Sequence, residues 1–312
     1  MVETPFGDDD TASARGVVRV TTLVLVVVGL VVGVALAPQA WSFATQPDGN
    51  IAVVEIQGSI TGETASGVVE NLREARQNDS IEAVVLDVDS PGGTAAASEQ
   101  LYLAVKRTAA EMPVVTSVTG TAASGSYYAA IPSEQIYVTP ASVVGSVGVR
   151  ATVPTSGSVE GEVVTGPDKN GGATEAEVYE RVETLRRAFV GAVFAERGDR
   201  IDLTREEVSH AKVYSGAAGV ENGLADEVGG VDTAVAAAAD EAGLDDYRVT
   251  RMDAPQPSLL SQIGLSAEEA PDQPSTEQVF DYRGVDTVQY LMLHGTIRTT
   301  ETETEVTANA NA

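Results

Sequence analysis

From Ile51 onward, short apolar runs alternate with amphipathic stretches. Ile51–Gln57 (IAVVEIQ), Ile81–Val88 (IEAVVLDV), Val114–Val118 and Gln135–Val138 are nearly continuous in Val, Ile and Ala. Runs of that kind predict strands buried on both faces. Between them, Gly62–Gln77 and Thr94–Ala110 predict helices, and Ser124–Ile131 a short one. Ala173–Gly198 predicts a long helix, and Leu203–Lys212, Ala217–Asn222 and Val231–Ala242 shorter ones. Thr204 is placed to cap its helix, with Glu206 and Glu207 in the first turn. The alternation predicts an α/β domain over 50–252, built from repeated βαβ units around a helix-covered sheet.

The two ends read differently. Residues 1–15 are polar and acidic and are expected to be disordered. An apolar run follows from Val20 to Ala37, inside a predicted transmembrane anchor over 16–41. About 18 residues rising 1.5 Å each cover ~27 Å, close to the thickness of a bilayer core. Trp41 stands at interfacial depth, Arg15 and Arg19 precede the run, and no Lys or Arg follows until Arg73. The positive-inside rule then predicts a single-pass protein of the cell membrane, with a cytoplasmic N-terminus and an extracellular domain. A cleaved signal peptide ending at Ala35-Leu36-Ala37 is the competing expectation. Residues 253–283 read as a linker and 284–298 as a docking segment. Within the latter, Val288–Leu293 (VQYLML) either adds a last strand or packs on a neighbouring subunit. The tail 299–312 is low in complexity and is expected to be disordered.

Charge narrows the function. The chain has 46 acidic against 19 basic residues, a formal net charge of −27, which repels nucleic acid and excludes a basic groove for it. Of the basic residues only Lys106, Lys169 and Lys212 are lysines. An acidic, lysine-poor chain without cysteine has a haloarchaeal-like composition, suited to high salt. At ~1 M salt the Debye length is about 3 Å and carboxylate repulsion is screened. With no cysteine and two histidines, His210 and His294, neither a metal site nor a cofactor is expected. Neither histidine sits among glycines, which disfavours a Ser-His-Asp triad.

Three glycine-rich junctions carry the candidate chemistry: Asp89-Ser-Pro-Gly-Gly93, Gly120-Thr-Ala-Ala-Ser-Gly-Ser-Tyr-Tyr128 and Val144-Gly-Ser-Val-Gly-Val149. The first two follow strands, where sites of open α/β sheets form. A serine at such a turn exposes its hydroxyl, and glycine amides beside it can donate to an oxyanion. That reading makes Ser124 a nucleophile and the Gly93 and Gly125 amides an oxyanion hole. The helix following Ser124 would add partial positive charge. Each feature alone is equally a plain turn or an N-cap.

Together these segments resemble the signal peptide peptidase (SppA-type) family of membrane-anchored Ser-Lys serine proteases. The resemblance is carried by Val85 to Gly93, Ala122 to Ala129, Val144 to Val149, Ala211 to Gly216 and Gly223 to Gly230. It implies the fold shared by the Clp protease subunit and the crotonase enzymes. It further implies Ser124 as nucleophile, Lys169 in Thr165-Gly-Pro-Asp-Lys169 as general base, and Ser146 as a residue orienting that lysine. Hydrolysis of hydrophobic peptides such as signal peptide remnants follows, in a homo-oligomer whose neighbouring subunits complete each site. Arginine cannot serve as a base, and Lys106 and Lys212 read as surface cations. Holding a lysine neutral by lowering its pKa from about 10.4 to about 7–8 costs roughly 4 kcal/mol, within reach of desolvation. Three departures stand out: Ser126 replaces a usual glycine, the connection Arg150–Val163 is short, and so is the segment after Lys169, Asn170-Gly-Gly-Ala173. Tyr127 and Tyr128 read as packing residues. A crotonase-like enzyme acting on acyl thioesters and a non-catalytic membrane scaffold are the alternatives.

Overall fold

The computed structural model describes residues 30, 47–152, 174–252 and 289–295. Contacts divide the chain into Met1–Asp48 and Gly49–Ala312, and every element named here belongs to the second unit. The expected leader, linker 253–283 and tail, and the anchor apart from Leu30, lie outside the described residues. Among those residues no helix is long and apolar enough to cross a membrane.

The predicted alternation is present. In order come β1 (Gly49–Gln57), α1 (Gly62–Gln77), β2 (Ile81–Ser90), β3 (Gly92–Thr94), α2 (Ala95–Ala109), β4 (Val114–Ala123), α3 (Gly125–Ala130), β5 (Gln135–Val138), β6 (Val143–Gly145) and β7 (Arg150–Thr152). Then follow α4 (Glu175–Arg197), α5 (Arg205–Ser209), β8 (Val213–Ser215), α6 (Gly216–Glu221), β9 (Glu227–Val228), α7 (Val231–Ala242), β10 (Tyr247–Met252) and β11 (Gln289–Leu293). The main sheet has eight strands, ordered β10-β1-β2-β4-β5-β9, with β6 on β4 and β8 on β6. Its pairs are parallel except β6 with β8. A separate three-stranded sheet runs β3-β11-β7.

Alternate residues of the central strands feed two cores. Ala52, Val54, Val84, Leu86 and Val88 join α1 through Val68 and Leu72 and α2 through Leu101 and Val105. Ile51, Val53, Ala83, Val85 and Val115 join α7 through Ala234, Val235 and Ala238. The strands therefore read as continuous apolar runs because helices cover both faces. Each fully buried Leu or Ile contributes about 1.5–3 kcal/mol.

Several strands depart from expectation: the short β3, β6, β7, β8 and β9 were not predicted, nor was β10, and β4 is longer than expected. β10 was not predicted, since YRVTRM is mostly exposed; it is an outer strand parallel to β1. β4 runs past Val118 to Ala123 through Thr119, Gly120 and Thr121 before returning to buried alanines. Polar bonds hold that extension: Thr119 Oγ1 donates to Asp87 Oδ1 at 2.9 Å, and the Thr121 amide to Asp89 Oδ1 at 2.9 Å. A register shift between Val88 and Ser90 then sets Ser90 opposite Ala122.

Helix starts follow their caps. Thr61, Thr174 and Thr204 each accept from the amide three residues on, with a reciprocal side-chain bond from that residue. The end of α4 is fixed by charge: Arg197, 1% exposed, donates to Asp226 Oδ1 at 3.0 Å and to the Gly223 carbonyl at 3.2 Å. Asp226 Oδ2 also accepts from the Ile136 amide of β5 at 2.7 Å. Breaking a buried pair from one side leaves the other charge uncompensated, at about 3–5 kcal/mol. In urea denaturation, Asp226→Ala is expected to lose stability of that order, and Arg197→Met markedly less. Equal losses would show that the pair does not carry this junction.

Candidate active site

Sheet register brings the three glycine-rich junctions side by side. Ser90, at the end of β2, lies opposite Ala122 of β4, and Thr121–Ala123 of β4 pair with Val143–Gly145 of β6. β4 then breaks sharply into α3. Ser124 is the hinge, with φ 57 and ψ −116, a region that residues other than glycine seldom enter. Such a conformation costs on the order of 1–3 kcal/mol and persists only where its surroundings enforce it. Here the Ser124 amide donates to the Gly145 carbonyl at 2.8 Å, and its carbonyl accepts from Tyr128 at 2.9 Å. The side chain is 1% exposed, and Oγ is 3.4 Å from the Gly148 carbonyl. A serine on a strained strand-to-helix turn is a recurrent way of presenting a nucleophile.

The glycines around it are sterically required. A Cβ on Gly93 would lie 1.9 Å from the Ile60 carbonyl oxygen, and one on Gly125 would lie 2.0 Å from Ser98 Oγ. Gly92, at φ 93, would place a Cβ 2.7 Å from the Gly125 amide nitrogen. The first and second junctions thus touch backbone to backbone, which sets Gly92-Gly93 against the start of α3. Because α3 has only six residues, from Gly125 to Ala130, individual amides outweigh any helix macrodipole at this point.

Ser126, the departure from the family pattern, has a structural task that the sequence reading missed. Its buried hydroxyl lies 2.6 Å from the Ser90 carbonyl and 2.9 Å from the Ala123 carbonyl. It ties the ends of β2 and β4 together two residues past Ser124. Gly92 donates its amide to Ser90 Oγ at 3.1 Å, extending the same tie to the first junction. Only the three-dimensional approach of β2 to β4 reveals this role.

Tyr127 and Tyr128 pack as expected. Tyr127 is fully buried and donates to the Leu224 carbonyl at 2.9 Å. Tyr128 stacks on Tyr102 with centroids 4.5 Å apart. Burial pushes both phenols up to about 12, so they remain neutral near neutral pH. Lys106, read as a solvated cation, is half-exposed yet anchored by a 2.6 Å bond to Glu196 of α4. That hydrogen bond raises its pKa and keeps it charged. Lys212 lends its carbonyl to the third junction, accepting from the Ser146 amide at 2.7 Å, while its Nζ lies 5.7 Å from the Tyr214 ring centroid. His210 is exposed at the end of α5. Ser146, the expected lysine-orienting residue, has φ 55 and places Oγ 3.2 Å from His294 Nδ1. Lys169 lies outside the described residues.

Ser126→Ala removes the tie and with it the single hydroxyl proton shared by the Ser90 and Ala123 carbonyls. Stability is expected to fall by about 1–3 kcal/mol, read by thermal or urea unfolding. A variant as stable as the parent would show that the tie is not needed to hold the junctions.

Residues 106–159 and 165–245 match the model of peptidase family S49, so that Ser124 and Lys169 both fall in matched stretches. Protease 4 of Salmonella typhi is 32% identical over 254 residues, covering 73% of this chain and 41% of that protein. The chloroplastic serine protease SPPA of Arabidopsis thaliana is 29% identical, covering 65% of this chain and 33% of that protein. The chain therefore spans less than half the length of either relative. A putative signal peptide peptidase SppA of Enterococcus faecium is 30% identical over 51% of this chain and 50% of that protein. Among solved structures, the 1510-N membrane-bound stomatin-specific protease aligns at 18% identity over 69% of this chain and 95% of that one, with a TM-score of 0.48. These matches support peptidase family S49, the family of SppA and protease 4 homologues, as the family of the domain that carries Ser124.

Proposed function

We propose that this protein is a serine endopeptidase that cleaves hydrophobic peptides, signal peptide remnants among them, through an acyl-enzyme on Ser124. The observation that carries the reading is the strained, buried Ser124 turn, set in an S49-matched segment against Gly92-Gly93. Lys169 is the base in this account. Its neutral amine takes the Ser124 proton as Oγ adds to the scissile carbonyl carbon. The oxyanion is held by the Gly93 and Gly125 amides, and loss of one such donor typically costs ~3 kcal/mol. The carbon–nitrogen bond then breaks, Lys169 returns the proton to the leaving amine, and water hydrolyses the ester by the reverse path. No cofactor enters these steps.

Context completes the proposal. Residues 16–41 anchor the chain in the cell membrane, with the peptidase domain outside. The net charge of −27 suits work at high salt. Subunits assemble into a homo-oligomer whose neighbours close each site.

Hydrolysis of a fluorogenic apolar peptide at high salt tests the dyad. Ser124→Ala and Lys169→Ala should each remove turnover while circular dichroism stays unchanged. Full turnover in Ser124→Ala would exclude this nucleophile, and full turnover in Lys169→Ala would exclude this base.

A further inference from the structure

Arg150 stands beside the site with most of its bonding capacity unused. It opens β7, two residues after Gly148, whose carbonyl lies 3.4 Å from Ser124 Oγ. Its Nη1 donates to the Gly295 carbonyl at 2.8 Å. Its Nε and Nη2 are buried and have no hydrogen-bond partner. No carboxylate among the described residues pairs with it, although the chain has 46 acidic side chains. Arg197 also leaves two nitrogens unmet, but Asp226 balances its charge. Buried donors are normally satisfied, and one left unmet carries its full desolvation penalty. An unbalanced guanidinium with free N–H groups therefore marks a place for an anion. Its planar fork matches a carboxylate, whose two oxygens accept two parallel bonds.

Residues 289–295 show where that anion falls relative to the reacting carbonyl. The Met292 carbonyl oxygen lies 2.1 Å from where a Cβ on Gly92 would stand and 2.9 Å from where one on Gly125 would stand. It thus rests among the glycines to which the oxyanion hole is assigned. Gly295, whose carbonyl Arg150 holds, comes three residues later. A peptide on the same track, with its scissile carbonyl at those glycines, brings its third residue past the cut to Arg150. Where the peptide ends at that residue, a carboxylate replaces the neutral carbonyl. One oxygen keeps the Nη1 bond and the other is offered to Nη2.

We propose that Arg150 is a specificity-determining residue that binds the free C-terminal carboxylate of the substrate, three residues beyond the bond that is cut. The proposal rests on the serine peptidase reading and narrows its substrate class. Every peptide released by hydrolysis ends in a carboxylate, so remnants of an earlier cut carry this group. An intact chain crossing the site puts only a neutral peptide group at Arg150. One charge thereby separates remnants from intact chains, and the reaction that supplies the substrate is another peptide-bond hydrolysis. Residues 289–295 themselves offer Arg150 a neutral carbonyl. A charge-assisted bond is roughly twice as strong as a neutral one, which favours an incoming carboxylate over them. Burial of Nε and Nη2 also limits screening of the pair at high salt.

The test compares two peptides of one apolar sequence, one ending in a free acid and the other in a carboxamide, with the full chain at high salt. Mass spectrometry locates each cut. Wild type should cut the acid three residues before its end. Its kcat/KM for the acid should exceed that for the amide by about 10- to 100-fold, the usual worth of a hydrogen bond to a charged group. The difference should lie mainly in KM, since the carboxylate is bound before and during the reaction. Arg150→Gln should bring the two rates together, with circular dichroism reporting its fold. Equal rates for acid and amide in wild type overturn the proposal, and that comparison decides even where the variant does not fold. A cut at another distance from the carboxylate, or an acid preference that survives in folded Arg150→Gln, overturns it too. Each of these results leaves the peptidase reading standing, whereas a wild type that cuts neither peptide defeats both.

Discussion

The backbone at Ser124 is the constraint on which the rest of the site depends. A serine at φ 57 and ψ −116 holds that shape only because the sheet ends there in an over-determined way. Gly145 accepts from its amide on one side, and the Ser126 hydroxyl binds the Ser90 and Ala123 carbonyls beneath it. The buried hydroxyl at this turn lies 3.4 Å from the Gly148 carbonyl. The following amide nitrogen, that of Gly125, lies close against Gly92. The stability of the whole α/β layer is drawn on to hold one turn.

Beside this turn lies the small β3-β11-β7 sheet, whose strand β3 carries Gly92 and Gly93. β3 and β7 have three residues each, and β3 is anchored on its far edge as well. β3 exchanges bonds with Ile60, whose amide donates to Gly92 and whose carbonyl accepts from Thr94. The other edge of β3 pairs with β11, with Gly93 opposite Met292.

Much of this was legible in the sequence where burial is two-sided. β1, β2 and the start of β4 read correctly because helices cover both their faces, as did the capped helices begun by Thr61 and Thr204. The junctions with Ser124, Gly93 and Gly125 were also legible, as glycine clusters after apolar runs. What escaped was structure held by polar pairing: the far end of β4, fixed by Asp87 and Asp89, and the exposed outer strand β10. The role of Ser126 escaped for the same reason, since its partner Ser90 is distant in sequence. β11 could be seen only as an apolar run that docks somewhere. Its seat between β3 and β7 is a matter of long-range register.

The central claim is that the Ser124 hydroxyl is the acyl acceptor. Trapping tests it most directly: mix the protein with an activated ester of an apolar acyl amino acid, quench in acid, and locate the added acyl mass. The account predicts the acyl group on Ser124. An adduct on another side chain, or none during measured turnover, would contradict it.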